Sequence, residues 1–255
     1  MSTYESGVRQ IIDDFLLEEA KKRRDYGDYW SASSAGYCMR KNIFDRMHIP
    51  LVTDDPRKQR VFTSGHVFHE WIQKLTKEAG VSLAQEIELQ DDQLMILGHA
   101  DDLIKTNDGI ILYDYKTVSS RSFNYSRTSM SRYHRMQLGT YMYMLRNAGI
   151  PGGFSQDQLD LDITEGRILK ISKDDLRMAE NILHWSEGLE KEVVDYWRTL
   201  NGYWDKKMLP RCTCADYENG FMAKEQFNPY YYDGEPCSLK WYEMHKETEH
   251  ETVQA

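Results

Sequence analysis

The sequence lacks any long apolar run, and no stretch of it approaches the roughly 20 apolar residues that a membrane helix needs. Its N-terminal segment, MSTYESGVRQIIDD, also lacks the basic-then-apolar order of a signal peptide, so we expect a cytoplasmic protein. Cysteine is scarce, because only Cys38, Cys212, Cys214 and Cys237 occur. In a cytoplasmic chain these four indicate metal or cluster ligation rather than disulfide bonds.

Acidic side chains are missing from one segment of an otherwise acidic chain. The net charge is −9, yet residues 117–156 contain neither Asp nor Glu. Arginine and aromatic side chains alternate there, a pattern typical of surfaces that bind phosphates and stack on bases. We therefore predict nucleic-acid contacts in this segment, with a solvated basic helix as the alternative. The candidate residues are Arg121, Tyr125, Arg127, Arg132, Tyr133 and Arg135.

Hydrophobic periodicity predicts an α/β or α+β fold with one mixed sheet. Helices are predicted at about 4–23, 61–79, 130–147 and 174–200, with a short helix holding Cys38 that Ser31–Ser34 would cap. Strands are predicted near 81–89, 94–105 and 110–118, followed by a hairpin over 159–172 that turns at Glu165-Gly166.

The stretch LMILGHADDLIKTNDGIILYDYKT predicts a β-hairpin whose apolar pattern is interrupted by charges. A turn at Asp108-Gly109 would pair Asp101 with Lys116. A turn one position earlier, at Asn107-Asp108, would instead set Asp101 opposite Asp114. In either register Asp101, Asp114 and Lys116 share one face of the sheet, whereas a three-residue loop would separate them.

Two carboxylates at this separation repel each other, which raises the pKa of one of them unless a cation lies between them. Mg²⁺ or Mn²⁺ would resolve the repulsion, because such hard metals take carboxylate oxygens and keep bound waters. Lys116 would then orient or help to deprotonate a water, or stabilise the charge of a phosphate. A structural salt bridge between Asp101 and Lys116 is the alternative interpretation.

Four motifs in order resemble those of the PD-(D/E)XK nuclease superfamily, in its RecB-like branch. They are SGHVFH with Gly65 and His69, GHAD ending in Asp101, DYK with Asp114 and Lys116, and QLGTY with Gln137 and Tyr141. The resemblance implies a restriction-endonuclease-like α/β core, a central mixed β-sheet flanked by helices. It also implies roles for individual residues. The metal ligands would be His69, Asp101, Asp114 and the backbone carbonyl of Tyr115. Lys116 would position the attacking water, and Gln137 and Tyr141 would position Lys116 or the nucleic-acid backbone.

The cysteines extend this resemblance. Some RecB-like nucleases, among them AddB-type subunits and CRISPR-adaptation nucleases, carry one Cys before the nuclease core and three after it, which together bind an iron–sulfur cluster. Cys38 would be the leading ligand, and Cys212, Cys214 and Cys237 would be the trailing ones. The gap of 22 residues after Cys214 departs from the compact trailing triplet of that family. The resemblance implies a 4Fe–4S cluster, with structural Zn²⁺ or free thiols as alternatives.

The sequence therefore predicts a metal-dependent DNA nuclease, specifically an exonuclease acting on DNA ends or single strands in recombination, repair or replication. A catalytically inactive DNA-binding or structural subunit of the same fold is one alternative, and a zinc-stabilised endonuclease is another. The chain has no G-x-x-x-x-G-K-[ST] motif, so we expect it not to unwind DNA by itself. A recombination or replication partner and an oligomer are both compatible with the sequence, and stand-alone chains of this kind are common in phages and prokaryotes.

We expect one nuclease domain over residues 1–245, with its catalytic core at about 61–175. Cluster-binding segments are expected at about 31–48 and 205–240, and a disordered tail at 246–255.

Overall fold

A computed structural model describes residues 7–22, 26–48, 55–107, 109–147 and 163–210. The chain divides into two compact units, one of residues 1–36 and 53–201 and one of residues 37–52 and 202–255. Helix α2 (Met39–Arg46) belongs to the second unit, in which the guanidinium of Arg46 lies over the ring of Trp204. Every other described element begins in the first unit.

Helices and strands of the first unit follow the order that the sequence predicts over most of its length. Its helices are α1 (Val8–Lys21), α3 (Pro56–Glu78), α4 (Ser120–Ser126), α5 (Arg132–Asn147) and α6 (Glu187–Asp205). Its strands are β1 (Trp30–Ser31), β2 (Ser82–Asp91), β3 (Ile96–Thr106), β4 (Gly109–Val118), β5 (Glu165–Ser172) and β6 (Met178–His184). A single 3-10 turn covers Ala32–Ser34.

The strands form one mixed sheet, which confirms the predicted α/β architecture. β2, β3 and β4 are an antiparallel meander, β4 and β5 are parallel, and β5 and β6 are antiparallel. The parallel pair requires a crossover, and α4 and α5 supply it. Helix α3 packs on one face over a cluster that includes Ile72, Tyr113 and Tyr115. Helix α5 packs on the other face, where Leu138 and Met142 lie against Gly166.

Helix α3 begins five residues before its predicted start at Val61. Asp55 caps it by accepting hydrogen bonds from the backbone N–H groups of Arg57 and Lys58, at 2.9 and 3.4 Å. Pro56 occupies the first turn, where its missing N–H costs nothing. The helix therefore starts at a capping signal that hydrophobic spacing does not register.

The prediction of one helix over residues 174–200 is wrong. Met178–His184 is strand β6, which pairs with β5 along the edge of the sheet, and the helix begins only at Glu187. Side chains such as Met, Ala, Glu and Leu favour helices weakly, and the hydrogen bonds offered by β5 outweigh that preference. Leu176 and Ile182, which would lie on the apolar face of such a helix, are instead about half exposed, at 54% and 51%.

Two further predictions need correction. Glu165-Gly166 lies inside β5 rather than in a turn, and the proposed first strand of that hairpin falls at 159–162, outside the described residues. Cys38 precedes α2 as its capping residue instead of lying within a helix, because the helix begins at Met39. The tail at 246–255 and most of the segment 205–240 also lie outside the described residues. None of the helices that the structure describes could cross a membrane.

Candidate active site

β3 and β4 separate at the point where the hairpin carries its carboxylates. Thr106 pairs with Gly109, which is the register that the earlier of the two predicted turns requires. This register sets Asp101 opposite Asp114, one position beyond the last pair of the ladder. The alternative register, with a lysine opposite Asp101, is wrong. That register would have required Gly109 to supply a positive φ inside the turn. Gly109 has a φ of 130° but is the first residue of β4.

The carboxylate of Asp101 bridges this fork. Its Oδ2 accepts a hydrogen bond of 2.6 Å from the backbone N–H of Tyr115, so a side chain takes the place of a ladder hydrogen bond. Burial raises the pKa of Asp101 to about 8, and the negative charge of Asp114 adds to this effect. The nearby ammonium of Lys116 opposes the rise. The surroundings of Asp101 therefore supply too little positive charge to stabilise its ionised carboxylate.

Asp114 and Lys116 form an ion pair on the α5 side of the fork. The Nζ of Lys116 donates to Oδ1 of Asp114 at 3.1 Å and lies 2.9 Å from Oδ2. The shorter contact lacks hydrogen-bond geometry, so Oδ2 is buried without a donor among the described residues. A hydrogen bond depends on alignment as well as on distance, so this contact is an electrostatic one only. A buried carboxylate oxygen that receives no hydrogen bond is suited to act as a ligand of a cation.

His69 reaches the same place from α3. Its Nδ1 lies 3.7 Å from Oδ2 of Asp101, and its ring meets that of Tyr115 edge-on, with centroids 6.1 Å apart. Burial lowers the pKa of His69, and the charge of Lys116 lowers it further. The imidazole is therefore neutral near pH 7, which is the form that binds a metal. Gly65, one turn earlier, allows close packing, because a Cβ there would lie 3.3 Å from Oγ1 of Thr117.

Gln137 and Tyr141 lie on one face of α5, four residues apart, and both are buried. Nε2 of Gln137 is 3.4 Å from the hydroxyl oxygen of Tyr141. Burial raises the pKa of Tyr141, and the charge of Asp114 raises it further, so the hydroxyl stays protonated. The ring fits against β3 only because residue 98 is glycine, since a Cβ there would be 2.9 Å from the ring of Tyr141.

His134 is a site residue that the sequence analysis missed. It lies one turn before Gln137 on α5, and its Nδ1 is buried without a hydrogen-bond partner in the described ranges. Burial lowers its pKa to about 4, with a further contribution from Lys116, so it is a neutral base beside the ion pair. The spacing His134, Gln137, Tyr141 is that of one helix face, and this is the signal that could have found it.

Asp102, adjacent to Asp101, points to the opposite side of the sheet and is fully buried. Its carboxylate accepts hydrogen bonds from four side chains at 2.6 to 3.2 Å, namely Thr76, Ser82, Gln85 and Tyr115. These donors belong to α3, β2 and β4. Asp102 therefore ties together the elements that carry His69, Asp101 and Asp114.

The site contains the donor types that a hard divalent cation requires, two carboxylates and a neutral imidazole. Even so, within the parts of the chain that the structure describes, no three His, Cys, Asp or Glu side chains surround a common point closely enough to hold a metal ion. The residues thus fit such a cation in kind, and the orphaned Oδ2 of Asp114 is the observation that most directly favours one.

A sequence model of the PD-(D/E)XK nuclease superfamily matches residues 55–215, which is more than half of the chain. The chain belongs to this superfamily. Among solved structures it is similar to SSO0001, with 16% identity, a TM-score of 0.52, and coverage of 83% of this chain and 94% of that one. This likeness concerns the fold.

Two further solved structures match less closely. One is the alkaline exonuclease LHK-Exo from Laribacter hongkongensis, with 12% identity, a TM-score of 0.42, and coverage of 76% of this chain and 97% of that one. The other is LHK-Exo in complex with dAMP, with 11% identity, a TM-score of 0.38, and coverage of 78% and 97%. None of the curated proteins matches the chain.

The basic segment of this PD-(D/E)XK chain forms α4, the loop after it and the start of α5. The side chains of Arg121, Tyr125, Arg127 and Arg132 are exposed, and Tyr133 is half-buried. Arg135 is instead engaged in an ion pair with Glu192 of α6. The segment therefore offers three exposed arginines and one exposed tyrosine, while the nucleic-acid role of all six residues stays a prediction.

Of the four cysteines, the structure describes only Cys38, which is half-buried at the start of α2. Cys212, Cys214 and Cys237 lie outside the described residues. The predicted cluster therefore stays a prediction.

Proposed function

We propose that this protein is a metal-dependent deoxyribonuclease, specifically an exonuclease that degrades DNA from ends or as single strands. Membership of the PD-(D/E)XK nuclease superfamily supports hydrolysis of phosphodiesters. The observation that carries the proposal is the fork, in which Asp101 and Asp114 face each other and Lys116 contacts Asp114 at 2.9 to 3.1 Å.

In the proposed site Asp101, Asp114, His69 and the backbone carbonyl of Tyr115 hold Mg²⁺ or Mn²⁺. When bound, such a cation supplies Lewis-acid chemistry and counters the negative charge of the scissile phosphate. Its positive charge would also offset the repulsion that raises the pKa of Asp101.

The chain's own groups then orient the reaction. We assign to Lys116 the positioning of the attacking water and the stabilisation of charge that develops on the phosphate oxygens. Asp114 holds the Lys116 ammonium in place through its Oδ1. Gln137 and the protonated hydroxyl of Tyr141 line the α5 side and direct Lys116 or the DNA backbone.

Two finer assignments are also proposals. We place the chain in the RecB-like branch on the order of its four motifs, and we propose a 4Fe–4S cluster at Cys38, Cys212, Cys214 and Cys237, with Zn²⁺ as the alternative. Absorbance near 400 nm, a rough expectation for thiolate-bound iron–sulfur clusters, and metal analysis of the purified protein would separate the two.

The test uses end-labelled linear and closed circular DNA, single- and double-stranded, incubated with Mn²⁺ or Mg²⁺. Wild type should shorten linear substrates progressively, and Asp114→Asn should not. Asp92→Asn, in the turn between β2 and β3, is the matched control and should cleave like wild type. If cation-loaded wild type degrades none of these substrates, the nuclease proposal is wrong. Cleavage of closed circles would show that the protein is an endonuclease and not an exonuclease.

A further inference from the structure

Lys170 carries an ammonium group that is buried in the sheet. It lies on β5, is 1% exposed, and pairs across the parallel ladder with Lys116. No Asp or Glu forms an ion pair with Lys170 in the described part of the chain. Burying an uncompensated charge is costly, and a methionine would fill similar space without that cost. A lysine here therefore calls for a specific set of acceptors.

Those acceptors are backbone carbonyls of residues 126–131, the last residue of α4 and the connection to α5, together called loop 126–131. Nζ of Lys170 donates to the carbonyl oxygens of Ser126 and Ser129, both at 2.6 Å. Asn181, buried on β6, donates through Nδ2 to the carbonyl oxygen of Arg127 at 3.0 Å. Two interior side chains thus hold three carbonyls within four consecutive residues.

This clamp determines what the loop presents to solvent. These three carbonyl oxygens, which carry partial negative charge and would repel phosphate, point toward the sheet. The side chains of Arg127 and Arg132 are exposed, and Tyr125 on α4 is 76% exposed. Because Lys170 pairs with Lys116, the loop lies on the same face of the sheet as the candidate active site.

We propose that Lys170 is a positioning residue that keeps loop 126–131 preformed as a seat for the phosphates of a DNA strand beside the active site. The inference rests on the proposed nuclease function and adds how the substrate strand is held. A preformed loop binds without the entropy cost of ordering, so the clamp should contribute to DNA affinity and not to the chemical step.

The decisive variant is Lys170→Met. We expect the KM for a single-stranded oligonucleotide to rise about tenfold while kcat at saturation stays within about twofold, since binding and chemistry are separate contributions. Hydrolysis of a small substrate, thymidine 5′-p-nitrophenyl phosphate, should be unchanged because it does not reach the loop. Lys173→Met is the matched control. Lys173 directly follows β5, but its ammonium donates to the Val61 carbonyl and the Ser64 hydroxyl of α3. Because it does not contact loop 126–131, its loss should leave KM unchanged.

Salt dependence and a double variant distinguish the positioning of the loop by Lys170 from a general loss of structure. Lys170 is buried and cannot itself release counterions. If it positions Arg127, Lys170→Met should reduce the slope of log Kd against log salt by about 0.7, the same reduction that is expected for Arg127→Ala. The double variant should bind no more weakly than the weaker single variant. Additive effects, an unchanged slope, or a fall in kcat at constant KM would each overturn the proposal.

The binding arm does not depend on cleavage. Kd is measured by fluorescence anisotropy with Ca²⁺ in place of Mn²⁺. If wild type binds DNA under these conditions but does not cut it with Mn²⁺, the proposed function is refuted, and the Kd values of the variants still test the clamp. If Lys170→Met does not fold, Asn181→Ala decides, because it releases only the Arg127 carbonyl. It should then raise Kd in the same direction, and an unchanged Kd would refute the clamp.

Discussion

Asp101 and Asp102 are neighbours on β3 and meet opposite electrostatic environments. Asp102 is enclosed by four hydrogen-bond donors from three elements, so its buried charge is compensated. Asp101 receives one backbone N–H and faces a second carboxylate, and its pKa is raised by burial first and by the charge of Asp114 second. A saturated carboxylate stabilises a fold, whereas a carboxylate short of positive charge is prepared for a ligand that the chain does not supply.

The largest expected effect comes from replacing Asp101, the carboxylate that lacks compensation. Asp101→Asn should lower the rate of DNA cleavage about a thousandfold, equivalent to about 4 kcal/mol in the barrier, because it removes a proposed cation ligand. Above about pH 8, where the Asp101 carboxylate is charged, urea unfolding of the metal-free variant should show equal or greater stability than wild type, since a poorly compensated buried charge is gone. Cleavage within tenfold of wild type would mean that Asp101 is not a ligand.

On the Asp102 side the expected loss is in stability. Asp102→Ala removes the shared acceptor of four hydrogen bonds, whose donors are partly or fully buried, and should lower the free energy of unfolding by about 3 kcal/mol. The midpoint and slope of urea unfolding measure it. Asp92→Asn, at an exposed turn, serves as the control and should change stability by less than about 0.5 kcal/mol. A loss no larger than this control's would show that the network around Asp102 is dispensable.

A smaller effect is expected where β3 packs closely against its neighbours. A Cβ on Gly98 would lie 2.5 Å from Cβ of Ala32 and 2.9 Å from the ring of Tyr141. Gly98→Ala should therefore cost about 2 kcal/mol by overpacking. Adding Ala32→Gly should recover part of this cost in a double-mutant cycle, since it removes the closer clash. Independent, additive losses would contradict the proposed contact.

The last effect concerns the pH dependence of stability. Asp101 has a folded-state pKa raised to about 8, above its unfolded value, so its contribution to stability is fully present below about pH 4. That contribution is lost as pH rises toward 8. The metal-free wild type should therefore lose stability between about pH 4 and 8 relative to Asp101→Asn, measured by urea unfolding at several pH values. Parallel curves for the two proteins would show that Asp101 titrates normally.

Local signals predicted much of the fold. The meander of three strands, the helices α1, α3 and α5, and the shared face of Asp101, Asp114 and Lys116 all follow from periodicity and from the two-residue spacing of strand side chains. The family assignment follows from motifs in order and is confirmed over residues 55–215.

Other features depended on contacts distant in sequence. Strand β6 replaced the predicted helix at 178–184 because an open sheet edge was available, and no local residue preference records that edge. The choice between two hairpin registers was decided by the Thr106–Gly109 pair, since both turns suited the local sequence. His134 went unnoticed because a single histidine on an apolar helix face carries no chemistry until burial and neighbouring charges are known.

By itself the sequence determined which groups were available: carboxylates, a lysine and a histidine at spacings that place them on adjacent elements, and an arginine-rich segment free of acids. Only the tertiary structure decided how each group is used. It enclosed Asp102 among four donors, left Oδ2 of Asp114 without one, and turned Lys170 inward onto a loop. The reason is that charge compensation depends on distances between elements, and those distances are fixed by packing rather than by local sequence.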